Sequence, residues 1–300
     1  MSRNGINDGL KQGRLQGVKS GFGFSRMESG LKKGLVSEPG MHNKVQDPTL
    51  LQGSKQPTCL WIADFATATG AGATITAITQ LIPGATSLLI NSSPAYQPPY
   101  SGLGGVYNNR AYIDINSSAD SIYTNSSTLG SGKNEFTLMM VFRLSVTTQR
   151  TLFYNVDSTI SSTTGDIHVE AIGGNKVRVT FIGNPTSTSA VYETYDPLLE
   201  GTHHWHLLTV KCRLYQPGGQ GSEIEIWLDG KLNMAPVTTT FGGSTSTFVG
   251  NTFVFGNNAV SSSTAGGSNI AAALTLDYWP NSSEQMRLEN FFRWYYGRRF

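Results

Sequence analysis

IAAALTLDYW, residues Ile270–Trp279, runs directly into PNSSEQMRLENFFRWYYG, residues Pro280–Gly297. The first stretch is apolar along most of its length and reads as a buried strand. Pro280-Asn281-Ser282-Ser283 breaks it, and Ser282 with Gln285 has the S-x-x-Q spacing of a capping box. Leu288, Phe291, Phe292 and Tyr295 then fall at i, i+3, i+4 and i+7, the positions that share one face of a helix. Gly297 stands where a left-handed C-cap ends it. The chain is therefore expected to close on a core strand, a cap and one short aromatic-faced helix.

Upstream of this ending the pattern is that of strands. In Glu135–Ser145, the side chains of Phe136, Leu138, Met140, Phe142 and Leu144 share one face at period two. Residues 166–182 read as a hairpin with a definite register. Ile167, Val169 and Ala171 must share the inner face with Val177, Val179 and Phe181, which requires a connection of odd length. Gly173-Gly174-Asn175 supplies three residues. The same register sets Glu170 opposite Arg178 on the outer face as a cross-strand pair. Trp205–Leu214 and Ser222–Leu232 are two further strands, the second turning at Asp229-Gly230. Ala111–Asn116 is a shorter strand, preceded by an aromatic, Pro-rich loop over residues 93–110. The hydroxyl-rich tracts 157–165, 238–247 and 261–268 read as surface loops.

Composition agrees with a β-rich chain. Charged residues make up only 14%, while 38% are hydrophobic and Gly reaches 34 of 300 residues. Such a chain has ample apolar surface to bury, which argues against disorder of the whole. The net charge of +2 is unevenly spread. Residues 1–55 carry nine Lys/Arg against four Asp/Glu, leaving the remainder at −3. A basic arm on a slightly acidic body suggests an arm that meets an acidic partner surface. Within that arm Gly recurs at 5, 9, 13, 17 and 21, then at 30 and 34, and apolar residues follow most of these. Glycine every fourth residue is not collagen, and it disfavours an isolated helix. It fits either a flexible tail or, the preferred reading, an arm whose small residues let a partner backbone come close. Gly5, Leu10, Gly13, Val18, Phe22, Leu31 and Leu35 are its candidate docking positions. Residues 36–58, with Pro39, Pro48 and Pro57, read as a linker, so that 1–58 is arm and linker and 59–300 is the folded domain.

Cys59 and Cys212 could pair, but two cysteines are no disulfide framework, and free buried thiols are the expectation. The N-terminus lacks the apolar stretch of a signal peptide, and no run of about 18 apolar residues exists to span a membrane. The expectation is a chain made in a host cytoplasm, with no membrane partner.

Three constellations are candidates for chemistry. Alternation puts Glu223, Glu225, Trp227 and Asp229 on one strand face, where two carboxylates could serve as acid and nucleophile of a glycosidase. The other reading of that row is two solvated glutamates on a strand that ends in its turn. His204 and His206 share a face and could chelate a metal, but no third ligand is evident nearby. Tyr96, Tyr100 and Tyr107 of the aromatic loop could stack on sugar rings, or close the end of the fold, or pack on a neighbouring subunit. No Gly-rich stretch has phosphate-loop form, and the basic residues of the arm are spaced by Gly rather than clustered. Neither a nucleotide cofactor nor a nucleic acid is expected.

The closing strand and helix, with a serine-plus-acidic start and an aromatic-Gly end, resemble those of concanavalin A-like (laminin G-like) jelly-roll domains, particularly the ones in bacteriophage virion proteins. The Trp205-His206-Leu207-Leu208 strand and the Asp229-Gly230-Lys231 turn are similar in type and appear in the same order. The resemblance covers the sandwich but not the arm. It implies an all-β, antiparallel jelly-roll sandwich over residues 59–300, with a short C-terminal helix packed on one edge and an extended N-terminal arm. It implies that the Trp-His strand is structural. Glucanases of the same superfamily carry three carboxylates at alternate positions, and Trp227 stands where the third would be. The functional expectation is a non-enzymatic, cofactor-free virion protein, a head decoration or fibre protein, homo-oligomeric and docked on other virion proteins through residues 1–58. A tail-associated glycan-binding adhesin is the alternative, and a glycoside hydrolase the weaker one.

Overall fold

The computed structural model describes residues 47–51, 53–67, 74–82, 89–90, 106, 109–115, 121–123, 132–144, 150–156, 167–172, 176–182, 189–194, 204–214, 222–234, 237–239, 247–248, 252–256, 268–297 and 300. The arm positions Gly5, Leu10, Gly13, Val18, Phe22, Leu31 and Leu35 lie outside these residues, as do Tyr96, Tyr100 and Tyr107.

The strands, in chain order, are β1 (Cys59–Ile62), β2 (Ala66–Thr67), β3 (Ala77–Ile78), β4 (Leu89–Ile90), β5 (Ile113–Ile115), β6 (Ser121–Tyr123), β7 (Glu135–Leu144), β8 (Arg150–Val156) and β9 (Ile167–Ile172). They continue with β10 (Lys176–Ile182), β11 (Ser189–Glu193), β12 (His206–Arg213), β13 (Ser222–Leu228), β14 (Lys231–Leu232), β15 (Val237–Thr239), β16 (Thr252–Gly256) and β17 (Ser268–Leu276). One α-helix, α1 (Ser282–Tyr296), closes the chain. One large sheet runs β1-β17-β7-β12-β13-β14, with β5 also on β17 and β15 also on β13; a second runs β11-β10-β9-β8-β16-β6-β4, and β2 with β3 forms a separate two-stranded sheet. Every pairing among the described strands is antiparallel. Over the described residues the fold is an antiparallel β-sandwich with one α-helix, at the C-terminal end.

The two sheets meet through one hydrophobic cluster. From the first sheet it takes Trp61, Phe136, Leu138, Met140, Phe142, Val210 and Cys212; from the second, Phe153, Ile167, Val169, Val179, Phe253 and Phe255. Phe136 of β7 lies 5.4 Å from Phe153 and 5.5 Å from Phe253, and Trp61 meets Phe255 at 5.4 Å. Both cysteines are free and fully buried in this cluster, where burial pushes their thiols far up in pKa.

The alternate residues of β7, Thr137, Met139 and Val141, are buried as well. A strand buried on both faces needs a second cover, and α1 provides it. Leu288, Phe291, Phe292 and Tyr295 are buried as the stripe predicts, and Tyr296 with them. Polar tethers fix where the helix lies. Thr209 of β12 donates to Glu289 at 2.9 Å, and the Tyr296 hydroxyl donates to the Ala271 carbonyl of β17 at 3.0 Å. Both strands flank β7, so the helix covers the middle of the sheet face, not an edge as expected. The expected helix start also moves. Asn281, not Ser282, is the N-cap; its side chain accepts from the Glu284 N–H at 3.0 Å while Glu284 accepts from the Asn281 N–H at 3.2 Å. Burial alone would raise the Glu284 carboxyl, but hydrogen bonds from Lys55 and the Asn281 backbone outweigh it and hold the pKa below its ordinary value. Gly297 ends the helix at φ 86°, as read.

The compact body runs over Gln46–Phe300. The described part of the stretch read as linker packs on it: the Thr58 N–H donates to the Thr275 carbonyl at 2.9 Å, and Lys55 pairs with Glu284 on α1.

The hairpin register is the expected one: Val169 faces Val179, and Glu170 faces Arg178. The ion pair, however, forms on the other side. Both guanidinium bonds of Arg178 go to Glu193 of β11, at 2.8 and 3.0 Å. The turn between β13 and β14 is also as read, with Asp229 at φ 54° and Gly230 at φ 77°. The guanidinium of Arg293 occupies the space a Cβ on Gly230 would take. That neighbour is the flexible end of a side chain, so the left-handed backbone decides the outcome. Gly230→Ala is expected to destabilise the body by about 1–2 kcal/mol, read from the midpoint of denaturant unfolding; no loss would mean that the turn changes type.

Candidate functional site

The glutamate row of β13 sits on the outer face of the first sheet, beside α1. Its neighbours are set by register: Glu223 faces Arg213, Glu225 faces Lys211, and Arg213 in turn faces Glu135 of β7. Each carboxylate is engaged. Lys211 reaches Glu225 at 2.5 Å, and the Trp227 indole N–H donates to the same carboxylate at 2.8 Å. Arg213 bridges Glu135 at 2.8 Å and Glu223 at 3.2 Å. Trp279 lies over both cations, 4.7 Å from Lys211 and 4.7 Å from Arg213. The expectation of two solvated glutamates holds poorly for Glu225, whose side chain is 15% exposed and whose partner Lys211 is 3% exposed. Register forces this result, because a cation on β12 faces each glutamate on β13.

Asp229, fourth in the row, closes the turn. It accepts from the Leu207 N–H at 2.8 Å and lies 2.8 Å from Nδ1 of His206. His206 is buried against Phe142, whereas His204 is exposed just before the strand. Among the described residues, no three His, Cys, Asp or Glu side chains form a group that could hold a metal. Trp205 of the same motif stacks with Arg143, which lies 4.8 Å from its ring and 4.5 Å from that of Tyr112, with a 2.7 Å bond to Asn269. The Trp-His strand is packing structure, as the resemblance implies.

A second polar surface lies on the outer face of β8 to β11. Phe153 and Asn155 of β8 are opposite Phe255 and Phe253, so these residues face the core. Tyr154 faces outward opposite His168, and Thr151 faces outward opposite Glu170. Strict alternation would put positions 151 and 154 on opposite faces. A bulge between Thr151 and Phe153 shifts the register by one residue and brings both to the same face. Nothing in the local sequence announces that bulge, which is why sequence reasoning did not find this group.

The chemistry of the group is unusual for a sheet surface. Thr151 is buried and its hydroxyl has no hydrogen-bond partner; the Nε2 of His168 is likewise buried without one. The His168 ring meets the Tyr154 ring edge-on at 4.5 Å. Burial lowers the pKa of His168, and the nearby Glu170 charge only partly opposes this, so the imidazole is neutral at neutral pH. The face thus places an unpartnered hydroxyl and an unpartnered, neutral imidazole nitrogen beside an aromatic ring.

No protein-family model matches the sequence, and no curated protein matches it. Solved structures are similar at low identity. The binding domain of botulinum neurotoxin serotype G aligns with a TM-score of 0.48 and 12% identity over 79% of this chain and 50% of that one. The binding domain of botulinum neurotoxin DC in complex with SialylT aligns at 0.46 and 14%, over 68% and 48%. The serotype D ligand-binding domain in complex with N-acetylneuraminic acid aligns at 0.41 and 11%, over 75% and 50%. The chain spans about half the length of these domains. Likeness at this level transfers neither a site nor a ligand, and the concanavalin A-like and phage resemblance rests on the sequence motifs alone.

Proposed function

We propose that this chain is a non-enzymatic bacteriophage virion protein that docks on its particle through residues 1–58 and displays the sandwich, as a homo-oligomer, at the surface. The observation that carries the non-enzymatic part is the pairing of the glutamate row. Glycoside hydrolysis needs one carboxyl held protonated and another kept free to attack or to activate water. Here Glu225 is held by Lys211 and Trp227, Glu223 by Arg213, and Asp229 by a backbone N–H and His206. The docking part is supported by the arm itself, with its Gly spacing and its excess of positive charge over a slightly acidic remainder.

Deleting residues 1–45 is expected to leave a body that unfolds in one cooperative transition and no longer joins the particle. Occupancy is read from purified virions. Normal occupancy of the shortened protein would remove the docking role, and turnover of β-glucans by the intact protein would remove the non-enzymatic one.

A second reading, a glycan-binding adhesin, is favoured by the outer face of β12 and β13. The Trp227 and Trp279 rings beside the paired charges there suit a protein that receives a hydroxyl-rich ligand. Screening the intact protein against immobilised glycans separates this reading from pure display.

A further inference from the structure

We propose that the outer face of β12 and β13, where Trp227 and Trp279 stand beside Glu223 and Arg213, is a binding site for a neutral hexose unit of a glycan. The inference rests on the glycan-binding reading and adds to it the place and the ligand class. Register sets Leu232 of β14 directly opposite Trp227, so its side chain joins the same face, where it is 41% exposed. Trp227 and Trp279 are themselves only half-buried. An exposed leucine beside two such tryptophans makes an apolar strip that the fold leaves open to water. The helix α1 walls it on one side. Glu289 accepts from the hydroxyl of Thr209, the residue facing Trp227, and the Arg293 guanidinium fills the space beside Gly230 at the end of β13.

The strip is preorganised and its rim is polar. The Trp227 indole N–H is held by Glu225 at 2.8 Å and the Trp279 backbone N–H by Glu135 at 2.9 Å, so little side-chain freedom is lost on binding. Glu223 accepts one bond, at Oε2, and Arg213 donates two, from Nε and Nη1. Among the described residues, nothing bonds to Oε1 of Glu223 or to Nη2 of Arg213, and these side chains are 31% and 28% exposed. A pyranose presents an apolar C–H face and a rim of hydroxyls that both donate and accept. The tryptophan rings suit the first, and a fixed carboxylate oxygen beside a guanidinium N–H suits the second. Glu135, Glu223 and Glu225 against Lys211 and Arg213, three carboxylates to two cations, leave the face one negative charge, which disfavours an acidic sugar. Because the carboxylates are paired, the face can hold a sugar without hydrolysing it.

Two variants test the two halves of the site. Trp279→Leu removes a ring platform, and Glu223→Ala removes a rim acceptor while Glu135 still holds Arg213. Denaturant unfolding checks that each variant folds, and if Trp279→Leu does not, Glu223→Ala decides alone. Intact protein and variants are applied to an immobilised array of neutral hexose and N-acetylhexosamine oligosaccharides, their sialylated counterparts and a proline-rich peptide, and the best-bound ligand is then titrated in solution. The expected result is binding to neutral sugars in preference to sialylated ones, weakened about tenfold in Trp279→Leu and about fivefold in Glu223→Ala. Met286→Ala, on the exposed face of α1, serves as the control and should bind like the parent. Sugar binding by the parent that the folded variants retain within about twofold would place the glycan site elsewhere while leaving the adhesin reading standing. A preference for sialylated sugars would overturn the ligand class. Binding of the peptide in place of any sugar, lost in the variants, would make the strip a peptide surface and overturn the proposal. No binding to any sugar on the array would overturn the adhesin reading and this site with it.

Discussion

Phe292→Ala is expected to destabilise the body by about 3–5 kcal/mol, the usual loss when a fully buried phenylalanine is truncated in a site that cannot collapse. The ring has no solvent exposure and meets Phe291 at 5.4 Å. It belongs to the layer that covers the outer face of the first sheet, where Met139, Val141, Leu207 and Leu274 are buried outside the cluster between the sheets. The helix is also tethered at its middle by Glu289 to Thr209 and at its C-terminal end by Tyr296 to Ala271, so it cannot settle freely into the vacated space. Equilibrium unfolding in urea reads the effect, and Met286→Ala, half exposed on the same helix, should change stability by no more than about 0.5 kcal/mol. A loss below about 1 kcal/mol for Phe292→Ala would mean that α1 is not a second core layer.

What the sequence revealed, and what it hid, divides along the range of the interactions. The hairpin of β9 and β10 was legible because a three-residue connection and two sets of alternating apolar residues admit one register. The turn at Asp229-Gly230 was legible because few residue pairs accept two positive φ angles in succession. The helix stripe was legible from spacing alone, but its start was misplaced by one residue. Asn281-x-x-Glu284 competes with Ser282-x-x-Gln285, and a carboxylate at the third helical position adds a charge that complements the helix N-terminus, which an amide does not.

The position of α1 on the sheet face had a signal that went unread. Met139-Met140-Val141 in β7 and the apolar run of β17 lack the alternation of a strand with one wet face, and such strands require cover on both sides. The outer face of β8 and β9 had no such signal. Its polar residues come together through a bulge, and a single inserted residue reverses which side chains share a face. The engagement of Glu225 was equally hidden. Glu225 and Lys211 lie on strands whose pairing the pattern suggests, but the closure of Trp279 over the cation depends on where the chain turns after β17.

Glu225→Gln is expected to destabilise the body by about 3 kcal/mol at neutral pH, an effect far larger than a solvated surface glutamate would give. The carboxylate stands 2.5 Å from the Lys211 ammonium and accepts from the Trp227 indole at 2.8 Å. Lys211 is nearly inaccessible to water, with its ammonium 4.7 Å from the Trp279 ring and 5.8 Å from that of Trp227. Neutralising Glu225 leaves that cation with an amide oxygen and two ring faces in place of a counterion. Removing one partner of a buried pair is penalised mainly through the charge left behind. The double variant with Lys211→Met removes that charge as well, keeps a long apolar stem under Trp279, and should recover most of the loss. Unfolding free energies of the parent, the two single variants and the double variant form a thermodynamic cycle whose coupling term is expected to exceed about 1 kcal/mol. A loss below about 0.5 kcal/mol for Glu225→Gln, with no coupling to Lys211, would return Glu225 to the solvent and reopen the row to a catalytic role. If the large loss and the coupling are found, Glu225 belongs to the packing of the outer sheet face, and contact with a ligand there falls to the residues around it.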